Sequence, residues 1–201
     1  ANSAAMKAAG IDKNTLSPAG GEILRDADGI PTGVFIDNAM DLIAQAVPKP
    51  TADEITVALD TVSKHLLKLG ITSTHDAGVS ATEHALYREL AVSGAMQVRL
   101  YGMISSTDPE LEQILAAGHS LGSNDMYSAR SIKIYTDGAL GSRGAALIEP
   151  YQDRPDHSGL LLTSAEQLRQ LFSLATKAEF QVAIHAIGDK GNRIALDEIE
   201  H

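Results

Sequence analysis

The apolar positions of this chain follow two periods. Ile55, Leu59, Val62, Leu66 and Leu69 recur at steps of three and four, which places them on one buried stripe of a helix. Leu168, Leu171, Phe172 and Ala175 repeat the pattern. Helix starts are marked by a Ser or Thr with Glu or Gln three residues later: Thr51 and Glu54, Ser80 and Glu83, Thr107 and Glu110, Ser164 and Gln167. Each fits a capping box, in which cap hydroxyl and later side chain satisfy backbone N–H groups reciprocally. Between these helices lie four strand candidates: "GITSTHDAG" (70–78), "MQVRLYGMI" (96–104), "SIKIYTDG" (131–138) and "FQVAIHAIGD" (180–189). A last helix covers about 190 to 200. Alternation of helix and strand predicts an α/β fold with a parallel sheet covered by helices. The crossovers are long enough for right-handed βαβ units. A doubly wound sheet and a (β/α) barrel fit this pattern equally.

Residues 1–50 have a different texture. "GGEILRDADGIPTGVFID" predicts a β-hairpin, with "EIL" and "TGVFI" flanking a turn at Asp28-Gly29. Asp26, Asp28 and Gly29 carry a trace of a calcium loop, but the spacing departs from the EF-hand pattern and the closing Glu is missing, so the reading is an ordinary turn. "VPKP" at 47–50 connects this segment to the first capped helix, which divides the chain into 1–50 and 51–201.

Composition works mainly by exclusion. A formal net charge of −10 argues against nucleic acid or an anionic membrane surface as partner. There is no cysteine, hence no disulfide framework and no thiolate chemistry, and the compartment is left open. No apolar run is long enough to span a bilayer as a helix. The opening "ANSAAMKAAG" lacks an initiator Met and reads as helix, as expected of a piece of a longer protein.

Polar residues gather at the carboxyl ends of the predicted strands, where α/β folds bind ligands. These are His75 and Asp76, Lys133 and Asp137, His185 and Asp189. Strand alternation puts Lys133, Tyr135 and Asp137 on one face and Ile132, Ile134 and Thr136 on the other. Taken singly, a strand lysine is more often an ion-pair partner, and a strand-end histidine a hydrogen-bonded core residue. Two at successive strand ends tilt the balance toward a site. A desolvated lysine serves three chemistries: a Schiff base with a carbonyl, phosphate binding beside "GALGSRG" with Arg143, or carbamylation by CO₂ to give a carboxylate that metal ions share. The phosphate match is weak, because the loop lacks a P-loop ending and follows the lysine.

Several phrases resemble the amidohydrolase superfamily: "NSAAMKAAGI", "PAGGEILRDADGIPTGVFIDNA", "GITSTHDAG", "IKIYTDGALGSRGAAL", "HSGLLL" and "VAIHAIGDKGNR". More narrowly they resemble the amidohydrolase-3, YtcJ-like branch that includes N-substituted formamide deformylase. The resemblance covers nearly the whole chain. It implies a (β/α)₈ TIM barrel of the metal-dependent hydrolase type, with about strands two to five here and an N-terminal β-hairpin segment. It implies one or two divalent metal ions, zinc in the first instance, and hydrolysis of a small-molecule amide or N-formyl C–N bond by metal-activated water. Lys133 then matches the fourth-strand ligand, as a carbamate, and His185 the fifth-strand ligand. Beyond the resemblance, Arg143 and Asp137 are expected at the substrate, with a surface salt bridge an equally good reading of Arg143, and Asp76 with His75 is expected to orient a ligand from behind it or, for Asp76, simply to cap the following turn.

The sequence departs from the complete family pattern. It contains no H-x-H pair, and His201 ends a helical pattern rather than a strand. The proton-shuttling Asp is expected outside the chain. The expectation is therefore a fragment truncated at both ends, binding metal weakly or not at all, inactive alone, and prone to self-association over exposed sheet edges. A Schiff-base lysine enzyme on the same architecture and a non-catalytic regulatory protein that kept the barrel remain the alternatives. His65, His84, His119 and His157 fall on helices or loops, where exposure is the default expectation.

Overall fold

The computed structural model describes residues 1–121 and 125–200. In chain order it runs α1 (Ser3–Ala8), β1 (Gly21–Arg25), β2 (Pro31–Asp37), a 3-10 turn (Asn38–Met40), α2 (Asp41–Ala44), α3 (Ala52–Lys68) and β3 (Ser73–Val79). There follow α4 (Ala81–Val92), β4 (Arg99–Ser105), α5 (Leu111–Ala116), β5 (Ser120–Leu121), β6 (Tyr127–Tyr135), α6 (Ala165–Lys177), β7 (Gln181–His185) and α7 (Asp189–Glu200). No described helix is long and apolar enough to cross a membrane. His201 lies outside the described residues.

The chain forms two compact units. The first holds Ala1–Lys49, Tyr135–Leu168 and His185–His201, and the second Pro50–Ile134 and Arg169–Ile184. The sequence draws one boundary near residue 50. The contacts add others where β6 and β7 end, because the segments leaving those strands group with residues 1–49.

In the second unit, β3 pairs in parallel with β4, and β4 in parallel with β6. β7 also pairs with β6, and the two-residue β5 joins β6 antiparallel, which the alternating pattern did not foretell. The packed face of β6 carries Ile132 and Ile134, fully buried like Ile104 of β4. Burying an aliphatic side chain of this size contributes roughly 1.5–3 kcal/mol.

Three of the four capping boxes form. Thr51 Oγ1 accepts from Glu54 N and Glu54 Oε2 from Thr51 N. Ser80 with Glu83 and Ser164 with Gln167 repeat this. The fourth does not form. α5 begins without a side-chain cap, and Asp108 holds the turn instead, accepting from Glu110 N and Ala81 N at 2.8 Å each.

The α3 stripe also departs from expectation. Val62 is 45% and Leu69 64% exposed, and the buried residue of the helix is Ser63. The stripe borders an open cavity of about 690 Å³ that also meets Thr74, Asp76, Tyr87 and Leu100. Amphipathic spacing fixes which side of a helix is apolar, not how fully that side is covered.

In the first unit, β1 and β2 form the predicted antiparallel hairpin. Asp26 closes its turn by accepting from Asp28 N and Ile30 N, and Gly29 takes a left-handed φ of 79°. Arg154 makes a two-pronged contact to Glu22 at 3.0 and 2.8 Å, which ties the 138–163 segment to β1.

Candidate functional site

Lys133 sits on β6 in the second unit, opposite Ser105 of β4. Alternation holds along this strand: Ile132 and Ile134 are enclosed, whereas Lys133 is half-buried and Tyr135 is 40% exposed. Burial lowers the Lys133 pKa, because a low-dielectric setting disfavours the ammonium.

His75 and Asp76 lie on β3. His75 is exposed and meets the Tyr101 ring edge-on at 5.2 Å between centroids. Asp76 is half-buried and accepts from Tyr87 Oη at 3.2 Å. Burial raises its pKa, opposed by the Tyr87 hydrogen bond.

In the first unit the strand register ends and Asp137 turns inward. It is fully buried. Its Oδ1 accepts from Ile187 N at 2.9 Å, and its Oδ2 from Ala146 N and Gly188 N at 2.8 Å each. One carboxylate thus joins the loop after β6 to the turn after β7. The enclosure leaves it no open face for a substrate, and its geometry is that of a brace.

His185, the last residue of β7, stands beside this brace. Its Nε2 is 3.8 Å from Asp137 Oδ1. That nitrogen is enclosed and lacks a hydrogen-bond partner among the described residues, although the side chain as a whole is 26% exposed. The His185 carbonyl accepts from Thr136 N at 2.9 Å, and its ring lies 5.4 Å from that of Tyr135.

Sequence reasoning missed a third member of this group, Asp37. It ends β2 directly before the 3-10 turn and reads as an ordinary helix cap, yet its side chain makes no capping hydrogen bond. Its backbone takes φ 51° and ψ −126°, a region that costs a non-glycine residue on the order of 1–3 kcal/mol. Its Oδ2 is buried without a hydrogen-bond partner among the described residues. A Cβ on either Gly138 or Gly144 would collide with the Asp37 carboxylate, so the group rests against two bare Cα atoms. Burial foremost, and then the charge of Asp137, raise the Asp37 pKa, while His185 opposes them. The glycines of "DGALGSRG" were the available signal: glycines at a strand end admit close approach by another group.

Arg143, in the same loop, takes a left-handed φ of 59° and forks onto Asp153, with Nη2 to Oδ2 at 2.6 Å. The 138–163 segment is folded on itself. Tyr151 Oη donates to the Ala145 carbonyl at 2.8 Å, and a shallow cavity beside it is lined by Leu140, Arg143, Pro150, Tyr151 and Asp153.

Among the other histidines, His84 departs from the expected exposure. It is buried, with Nδ1 2.9 Å from Tyr127 Oη, and burial lowers its pKa. His157 is half-buried with Nε2 2.9 Å from the Arg143 carbonyl, whereas His65 and His119 are exposed.

A family profile described as "Amidohydrolase family" matches residues 1–201. The chain belongs to the amidohydrolase family. It is 36% identical to "Putative amidohydrolase YtcJ" of Bacillus subtilis (strain 168), over 99% of this chain and 38% of that protein. It is 30% identical to "N-substituted formamide deformylase" of Arthrobacter pascens, over 100% of this chain and 38% of that protein. These likenesses place it in the YtcJ-like, amidohydrolase-3 branch. A crystal structure of an uncharacterized metal-dependent hydrolase from Pyrococcus horikoshii OT3 superposes with a TM-score of 0.75 at 27% identity, covering 100% of this chain and 39% of that one. The α/β fold is thus shared with a metal-dependent hydrolase, in keeping with part of a (β/α) barrel. This amidohydrolase chain spans about two fifths of the length of the relatives it matches.

A metal ion is what such kinship suggests. The chemistry of His185 suits one ligand: its enclosed nitrogen faces a carboxylate, the usual orienting partner of a metal-binding imidazole. The number of donors does not suffice. Among the described residues no group of three or more His, Asp or Glu side chains is arranged to hold a metal ion.

Proposed function

We propose that this chain is the central part of a metal-dependent amidohydrolase that cleaves a non-peptide C–N bond, of amide or N-formyl type, in a small molecule. The observation that carries the reading is the Asp137–His185 arrangement. A histidine whose Nε2 is enclosed beside a braced carboxylate offers its other nitrogen, Nδ1, as a ligand. Kinship to a formamide deformylase supports the bond type. A bound divalent ion, zinc in the first instance, would supply an acidic water and a Lewis-acid centre for the carbonyl.

The chain's own residues have distinct tasks. Lys133, with its pKa lowered by burial, is more often neutral than a surface lysine, and the neutral amine is the form that reacts with CO₂ to give a carbamate ligand. Asp137 holds the two loops and faces the His185 ring rather than touching substrate. Arg143, whose fork already engages Asp153, borders the shallow cavity of its loop and contacts substrate there. Asp76 and His75 act indirectly, through neighbouring side chains. Lys133 and His185 are two donors, fewer than the four of a usual zinc shell, so the chain alone is inactive. Exposed Ile148, Ile187, Leu196 and Ile199 favour its self-association.

The test is a panel of N-formyl amines offered to the longer protein of the relatives' length, with and without a chelator. Chelator-sensitive release of formate supports the reading. A metal-free, inert protein removes it, and a borohydride-trapped adduct on Lys133 would replace it with Schiff-base chemistry.

A further inference from the structure

Asp37 combines three locally unfavourable features. Its backbone is left-handed, with ψ near −126°, one carboxylate oxygen is buried without a hydrogen-bond partner among the described residues, and the negative charge of Asp137 is close enough to act on it. The side chain does not cap the turn it precedes, and His185 opposes these costs only in part. A costly conformation kept for so little local return is the mark of a functional constraint.

The surroundings say which constraint. The loop that carries Arg143 is cinched at its base, where Gly138 N donates to the Gly144 carbonyl at 3.1 Å and Gly144 N to the Ala139 carbonyl at 3.0 Å. The Asp37 carboxylate lies against both of these glycines. Two residues past the base, Ala146 N donates to Asp137 Oδ2, and Asp137 faces His185. A shift of the loop base is thereby passed to the Asp137 brace.

We propose that Asp37 is a positioning residue: its carboxylate wedges the base of the 138–144 loop and so fixes the Asp137 brace beside His185. The N-terminal hairpin segment then serves the site directly. The role at a metal rests on the hydrolase reading above, but the wedge itself is a property of the chain.

The experiment compares wild type, Asp37→Gly and Asp37→Asn in the longer protein, reading thermal midpoint, tryptic cleavage after Arg143, and kcat and KM on an N-formyl amine. Glycine removes both the strain and the wedge. The expected result is an unchanged or raised midpoint, cleavage after Arg143 about tenfold faster, and a lower kcat with little change in KM. Asparagine tolerates the same backbone and has the same size, so it restores resistance to cleavage. A lowered midpoint in Asp37→Gly with unchanged cleavage after Arg143 overturns the proposal, because the residue is then merely structural. If the wild type hydrolyses nothing, the hydrolase reading fails, and the cleavage rates alone decide the wedge.

Discussion

Each unit buries a carboxylate among aromatic or imidazole neighbours, and the contrast lies in how the polar atoms are satisfied. In the second unit, Asp76 receives the Tyr87 hydroxyl, the Tyr87 ring meets that of Tyr127 at 5.6 Å, and the Tyr127 hydroxyl pairs with His84. Each hydroxyl of that chain has a partner, and the backbone that carries it is regular strand and helix. In the first unit, Asp137 is saturated by three backbone amides, yet Asp37 Oδ2 and His185 Nε2 beside it have no hydrogen-bond partner among the described residues. Satisfied polarity of the first kind rigidifies a core. Incomplete satisfaction together with left-handed backbone marks the place where the fold is held for another purpose.

Substitutions can break this contrast from either side. The largest effect is expected from Asp137→Ala. It strands three N–H groups, two of them buried and one part-buried, each costing about 1–3 kcal/mol. At about 2–4 °C per kcal/mol for a chain of this size, the thermal midpoint should fall by roughly 10 °C or more. Tyr127→Phe removes only the partner of His84 Nδ1, so the expected loss is about 1–3 kcal/mol, read from the urea midpoint.

A pH series on stability comes next. The folded His84 has its pKa lowered by burial, first, and by the charge of Arg88. The unfolded chain therefore binds that proton more readily. The His84 contribution is fully present above the unfolded value of about 6.5 and is lost as pH falls from there toward the folded pKa. His84→Gln should flatten this part of the urea-midpoint profile. The smallest effect belongs to Arg143→Ala: its ion pair with Asp153 is solvent-exposed, so the thermal midpoint should not move, while KM in the longer protein rises.

Much of this was written in the residues. Period and caps located α3, α4, α6 and α7, and alternation along β6 sorted Ile132 and Ile134 from Lys133. Two kinds of feature were not legible. Thr107–Glu110 has the letters of a capping box, but Asp108 captured the Glu110 amide and Ser105 Oγ the Thr107 amide, a competition that spacing cannot decide. Asp37 meets Gly138 and Gly144 across a hundred residues of chain, and neither period nor motif encodes such a meeting. His84 was misjudged for the same reason, because its burial depends on Tyr127 from a distant strand.

The hydrolase proposal requires Lys133 and His185 each to hold metal in the longer protein. Metal bound per chain, measured for wild type, Lys133→Ala and His185→Asn after identical purification, tests it most directly. The account predicts at least one divalent ion per wild-type chain and a loss of most of it in either variant. Wild-type metal content retained in both variants would contradict it.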